Sequence, residues 1–496
     1  MRRSTWSAAW VALSGLLLWP ACAIGPKYVK PATPNPAAAY KELNAAEGSD
    51  WRQAHPSDGT LKGAWWELFG DARLNDLELQ VGVSNQNVAA AAANYLSARA
   101  LVREARSQLY PTVTATPSIA SVRSPLLTPG APASAPTTGE YVLPFDVSWQ
   151  ADLWGKVRNT VKANVYGAQA SAADLENVRL TMQAELAADY YQLRAQDALI
   201  RLFEATVADY QDSLHIAQIQ FEAGLTSDET VAQAETVLHT AEAQVTNLGI
   251  LRAGYEHAIA LLVGQSATSF AVAADVAEFA PPPIPVGVPS QLVERRPDIA
   301  AAERRMAQAN AQIGIATAAF FPNVLLNGSV GLEATTIAGW LTWPARFWSV
   351  GPALAATLFD GGLRRATVQQ YEAAFDGAIA SYRGSVLAAF EQVEDSLSAL
   401  RILSAERQQQ DAAVASAARN VRLATTRYTA GVDPYLNVIV AQTALLANQQ
   451  TAIALRLNQM TASVQLIEAL GGGWDASQMP TPVQIGDPAP SRLSPK

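Results

Sequence analysis

Apolar residues along most of this chain recur at steps of three, four or seven. From Leu175 through Val178, Met182, Leu186, Tyr190, Leu193, Ile200, Phe203, Val207, Tyr210 and Leu214 to Phe221 they trace one seam. That is the spacing of a helix that buries a stripe against partner helices. A single helix over residues 156–221 would run about 100 Å at 1.5 Å per residue, longer than a compact domain is wide, so the pattern predicts an elongated body. Proline placement agrees. None occurs between Pro144 and Pro281, within residues 353–433, or within 435–479, and these windows are rich in the helix formers Ala, Gln, Glu and Leu.

Four segments change period. Phe145, Val147, Trp149, Ala151 and Leu153 alternate with Asp146, Ser148, Gln150 and Asp152, the pattern of a two-faced strand. Val324, Leu326, Gly328, Val330 and Leu332 form another such run, and residues 110–122 and 347–359 complete the set. A Pro/Ser/Ala/Thr/Gly loop, 124–139, joins the first pair, and residues 333–345, with Trp340 and Trp343, join the second. The predicted hairpins, 110–153 and 322–359, have strands near the roughly 9–11 residues that cross a membrane.

The chain also repeats itself. Leu109-Tyr-Pro-Thr-Val is echoed by Phe320-Phe-Pro-Asn-Val, Gly155-Lys-Val-Arg158 by Gly361-Gly-Leu-Arg364, and Phe221-Glu-Ala-Gly-Leu by Tyr428-Thr-Ala-Gly-Val. Helix, hairpin, very long helix, glycine turn and helix therefore occur twice. The expected layout is a first repeat over 71–270, with long helices at 156–264, an equatorial link over 271–296, a second repeat over 297–470, with long helices at 362–470, and a carboxyl equatorial tail over 471–496. Two hairpins cannot close a sheet, and a membrane sheet must have no open edge, so several copies are needed.

Composition narrows the class. The 35 Lys+Arg against 44 Asp+Glu leave −9 with no basic run, which argues against a nucleic-acid partner. Arg2, Arg3 and the apolar run Ala8 to Leu18 read as an export signal over 1–21, too short to span a bilayer. No later stretch reads as a transmembrane helix. Cys22 is the only cysteine, so no intrachain disulfide forms. Its place directly after the signal makes it a lipidation site, followed by a proline-marked tether at the head of the segment 22–70.

Several blocks resemble one family. Cys22-Ala-Ile-Gly-Pro-Lys-Tyr-Val-Lys-Pro31 looks like the mature start of the lipoprotein branch of TolC-like outer-membrane factors, and Trp65-Trp66-Glu-Leu-Phe69-Gly-Asp71-Ala-Arg-Leu74 is similar to an early family block. Leu292-Val-Glu-Arg-Arg-Pro-Asp-Ile299, Ala302-Glu303, Ala311-Gln-Ile-Gly-Ile-Ala316 and Phe321-Pro322 extend the likeness over nearly the whole mature chain. The fold implied is mainly α with a membrane β-barrel. Three chains would share a twelve-stranded barrel, four strands each, above a long α-helical barrel.

The resemblance implies a passive efflux duct for small molecules in the outer membrane, lipid-anchored, with a periplasmic adaptor and an inner-membrane pump as partners. A protein-secretion duct is the alternative within the family, and a soluble coiled-coil scaffold is the alternative outside it. The family's periplasmic tip and adaptor-docking site map onto the turns at Gly224, Leu225 and Thr226 and at Gly431 and Val432. The gate maps onto Asp433, Leu436, Asn437 and Val440, with Asp228 and Glu229 across the first turn. Asn437 and Val440 stand where some relatives have aspartate, which shifts the expected closure toward a hydrophobic ring at Leu436.

No catalytic constellation, cofactor motif or metal site is expected. His55, His215, His239 and His257 lack ligand spacing. Gly471-Gly-Gly473 lacks the Lys-Ser/Thr of a phosphate loop and reads as a helix stop. Arg295-Arg296-Pro297-Asp298 reads as a helix start with proline in the first turn.

Overall fold

The computed structural model describes residues 24–32, 40–44, 63–123, 137–275, 279–284 and 292–486. Cys22 and the signal segment lie outside the described residues.

Among the described residues seven helices of 13 residues or more make up the body: α1 (Ala72–Ser84), α2 (Gln86–Ser107), α3 (Lys156–Glu222), α4 (Asp228–Leu262), α5 (Pro297–Ala318), α6 (Leu363–Thr429) and α7 (Tyr435–Ala469). The duplication is metric. α3 and α6 are each 67 residues, α4 and α7 each 35, and α2 and α5 each 22. At 1.5 Å per residue the longest run about 100 Å.

In each half the 35-residue and 22-residue helices meet end to end beside a long one. Asn85, the cap of α2, accepts from the amides of Asn87 and Val88 and donates from Nδ2 to the Leu262 carbonyl at the end of α4, 2.8 Å away. In the second half Arg296 donates from Nη1 to the Ala469 carbonyl at the end of α7, at 3.0 Å. The same guanidinium grips Asp298 through two bonds of 3.0 and 2.7 Å and reaches Gln392 of α6 at 2.8 Å. Helix ends leave carbonyls without partners; here each joint satisfies one with a side chain from the next helix. Gly471 turns the chain at φ +92°, and a Cβ there would lie 2.0 Å from the Arg295 carbonyl. Pro297 opens α5, as expected from the sequence. The arginine before it is the pin of the joint, which the sequence did not reveal.

The main core lies midway along the long helices. Trp65, Trp66, Leu74, Leu77 and Val81 pack there against Leu186, Tyr190, Tyr191 and Leu193 of α3 and against the ends of α4 and α7. Asp71 caps α1 and pairs with Arg194 at 2.7 Å, and Tyr190 donates to the same carboxylate. Glu78 is fully buried in this region, and burial pushes its carboxyl well above the usual carboxylate range. The described part of the amino-terminal strap starts near the sheet, where the Ile24 amide donates to the Trp154 carbonyl and Asn159 donates to the Ile24 carbonyl. It descends to Tyr28, which donates to Glu303.

Five strands, β1 (Thr112–Ala115), β2 (Ser118–Arg123), β3 (Thr137–Ala151), β4 (Asn323–Ala334) and β5 (Arg346–Ala355), form one antiparallel sheet. β1 and β2 both pair with β3 in line with each other, so the sheet has four lanes.

The structure corrects several expectations. The strand predicted at 110–122 is broken between Ala115 and Ser118, where Pro117 offers no amide to the ladder. Gly139, assigned to a loop, lies inside β3, and the last strand stops at Ala355, short of Phe359. Phe221, the final member of the predicted seam, is 45% exposed, because α3 has passed beyond most of its neighbours by then. The described part of the carboxyl tail, 471–486, does not stay at the equator. It climbs beside α3 toward the sheet, where Gln169 donates to the Pro480 carbonyl and Ile485 is buried against Val102, Val165 and Ala168. Finally, α7 is long and apolar enough by length and composition to cross a membrane, against the expectation of no such segment. Its alanine- and leucine-rich surface packs along α6, with one end in the tip cluster and the other in the main core.

Candidate functional site

The end of the helical body opposite the sheet is built by two equivalent reversals. At the end of α3, the Gly224 amide donates to Phe221 and the Leu225 amide to Gln220. At the end of α6, Gly431 donates to Tyr428 and Val432 to Arg427. These are the paired bonds of a left-handed glycine cap, with φ +73° at Gly224 and +72° at Gly431. The cap brings α4 and α7 back antiparallel to their long partners. One apolar cluster joins both turns: Ala217, Val231 and Ala234 from the first, Ala424, Tyr428, Tyr435, Val438 and Ala441 from the second. The Tyr428 and Tyr435 rings lie 5.2 Å apart. Residues some 200 positions apart in sequence thus share one tip.

What the cluster leaves outside is the candidate surface. Leu225 is 78% exposed and Val432 62%, although the position after a glycine cap commonly tucks an apolar side chain back against the helix. On the first turns of α7, Tyr435 and Val438 point inward, while Leu436, Asn437 and Val440 form an exposed face. Leu436 and Val440 are one helical turn apart and make an apolar stripe.

The two turns differ in charge. Asp228 and Glu229 occupy the exposed first turn of α4, where a helix amino terminus favours negative charge. Thr226 donates to Thr230 at 2.9 Å and fixes the approach. In the second turn Asp433 is held by Arg427 through two bonds of 2.5 and 3.0 Å. The guanidinium, aided by Asn437, holds the Asp433 carboxyl below its ordinary value. Asp433, expected as a charged gate residue, is thus an ionised carboxylate paired with an arginine of its own turn. Arg427 was missed in the sequence; an arginine six residues before an aspartate across Ala-Gly was the available signal.

At the other end the sheet has two chemically distinct faces. Register aligns Phe145, Val147 and Trp149 of β3 with Val330, Gly328 and Leu326 of β4 and with Trp348, Val350 and Pro352 of β5, all on one side. The opposite side carries Asp146, Ser148, Gln150, Asn323, Asn327 and Ser329, bonded to one another from Ser148 to Asn327 at 3.0 Å and from Gln150 to Asn323 at 2.8 Å. Ten steps from Tyr141 to Ala151 span about 33 Å along the strand. Tilted by about 40°, that is close to the roughly 25 Å apolar band of an outer-membrane barrel. Both edges, β1 with β2 and β5, are exposed almost throughout.

Among the described residues no group of His, Cys, Asp and Glu could hold a metal ion. His239 makes a 2.9 Å contact with Glu242 on the same helix.

Residues 80–265 and 288–472, one segment in each half, match the family described as outer membrane efflux protein. The toluene efflux pump outer membrane protein TtgF of Pseudomonas putida is 31% identical over 476 residues, covering 94% of this chain and 95% of that protein. The pyoverdine export outer membrane protein OpmQ, also of Pseudomonas putida, is 32% identical over 422 residues, covering 83% and 88%. The solved structure of the outer-membrane channel OprN superposes with a TM-score of 0.84 at 28% identity, covering 91% of this chain and all of that one.

Proposed function

This chain belongs to the outer membrane efflux protein family, and on that footing we propose that three copies form the conduit through which a tripartite pump expels small molecules. It is an outer-membrane efflux component with its helical body in the periplasm. The observation that carries the proposal is the four-lane sheet, polar on one face and apolar on the other, mounted on helices about 100 Å long. Its edge lanes run antiparallel to each other, so β5 of one copy can pair with β1 and β2 of the next. Three copies then close twelve lanes with the polar face inward, and no edge is left in the lipid.

The tip supplies docking and closure. Leu225, Thr226 and Val432 around Gly224 and Gly431 offer the adaptor an apolar, preformed surface. Leu436 and Val440, repeated by threefold symmetry, make an apolar constriction that excludes water at rest, with Asn437 beside it and Asp228 and Glu229 at its rim. The inner-membrane pump provides energy and selection, and the duct needs no cofactor. Small-molecule efflux is preferred over protein secretion because relatives matched over 94% and 83% of this chain are named for toluene and pyoverdine. Lipidation of Cys22 fits the strap: Ile24, two residues on, is bonded at the sheet–helix junction, within reach of the inner leaflet.

Conductance of the purified trimer in a planar bilayer tests this. Leu436→Ala with Val440→Ala should raise resting conductance several-fold. Unchanged conductance, with opening caused instead by Ser329→Leu on the polar face of β4, would move the gate into the barrel.

A further inference from the structure

The end of the sheet away from the helices has a chemistry that conduction does not require. Arg346 opens β5 and shares its side of the sheet with Trp348, Val350, Pro352 and Leu354. Its row runs through Leu332 to Leu143, on the apolar face. Arg123 closes β2 in register with Thr137, on the same face as Ile119 and Tyr141. The acids at this end, Glu140 and Glu333, fall on the opposite, polar face. Neither arginine has an acidic neighbour on its own face of the described sheet, and residues 124–136 contain no Asp or Glu.

The arginines stand among exposed aromatic and apolar groups. The Arg346 guanidinium lies over the Trp343 ring, 4.1 Å from its centre, a stacking that fixes the planar fork. Trp340 meets Tyr141 at 5.8 Å. Trp343, Leu341 and Ile337 of the β4–β5 connection are each more than two-thirds exposed.

We propose that this rim is a girdle that binds the phosphate groups of outer-leaflet lipid through Arg346 and Arg123, with Trp343 and its neighbours seated among the lipid chains. The proposal rests on the barrel reading above, which makes the apolar face the lipid face and this end the external one. Continuity carries it: the lipid-facing stripe of β5 ends in a cation and an exposed tryptophan at headgroup height. An arginine on a lipid-facing strand is costly at mid-bilayer and nearly free at the interface, and its fork matches phosphate in two-bond geometry. Arg123 is on one edge lane and Arg346 on the other, so closure puts both at every seam between subunits. Lipid phosphate there would tie neighbouring subunits together on the outer side.

The test uses the full-length trimer in detergent, with lipid binding read by native mass spectrometry. The probes are a glucosamine-based lipid carrying two phosphates and the same lipid after phosphatase treatment. Wild type should bind the phosphorylated lipid at least tenfold more tightly than the stripped one. Arg123→Gln with Arg346→Gln should erase that difference, Trp343→Ala should lower it several-fold, and Glu333→Gln on the polar face should leave it unchanged. Equal binding of both lipids, or a double arginine variant within twofold of wild type, would overturn the proposal. Conductance of the same preparations separates the two readings. A sample that neither trimerises nor conducts refutes the channel, whereas a conducting trimer indifferent to phosphate refutes the girdle alone.

Discussion

Arg296→Met should loosen one joint of the helical body and little else. The side chain fits the space approximately but cannot donate. The buried carbonyl of Ala469 would lose its partner, which costs about 2 kcal/mol for an unsatisfied buried acceptor. The pair with Asp298 and the bond to Gln392 would also go, but that carboxylate is 30% exposed and Gln392 lies at the surface, so their loss adds only about 1 kcal/mol. The sum, about 3 kcal/mol, corresponds to roughly a 150-fold increase in local opening. Hydrogen exchange followed by mass spectrometry should show it in peptides covering 297–302 and 468–473, where opening of the joint exposes amides. The tip peptides, 221–232 and 428–440, should be unchanged. Asn85→Ala in the equivalent joint removes neutral bonds only, so its effect should be smaller, about 1–2 kcal/mol. An Arg296→Met protein whose exchange rises less than threefold at the joint, or rises equally everywhere, would refute the assignment of Arg296 as a local pin.

Gly431→Val should weaken binding of the adaptor's docking segment several-fold without unfolding the body. A Cβ there meets nothing within 4 Å, so the cost is the strain of positive φ, about 1–2 kcal/mol, measurable by surface-binding assays against Gly431→Asn. The trimer should melt at higher temperature at pH 5 than at pH 7.5. Burial, with Glu185 nearby, pushes the Asp189 carboxyl up to about 6, so its protonated form favours the folded state. That contribution is complete below the unfolded value of 3.8 and is lost as pH rises through about 6. Asp189→Asn should flatten the dependence, as followed by circular dichroism. Mass spectrometry of the mature amino terminus should find an acylated Cys22, and Cys22→Ser should abolish the modification while trimers still form, because a closed barrel holds the membrane more firmly than acyl chains.

Period and proline spacing determined the long elements, because both act within one helix or strand. The seam from Leu175 to Leu214 needs only 3.6 residues per turn to be read, and the alternation around Trp149 only the two faces of a strand. The glycine turns were equally legible, since a reversal after an unbroken helix calls for a residue that tolerates positive φ. The duplication of these elements gave the family likeness its order. Tertiary structure decided what depends on residues far apart meeting. Asn85 finds Leu262 and Arg296 finds Ala469 only because two helices abut. Asp433 meets Arg427, six residues earlier, only because the turn folds one over the other. Strand register, which no local pattern fixes between strands so distant in sequence, put the acids of the rim on one face and Arg123 and Arg346 on the other.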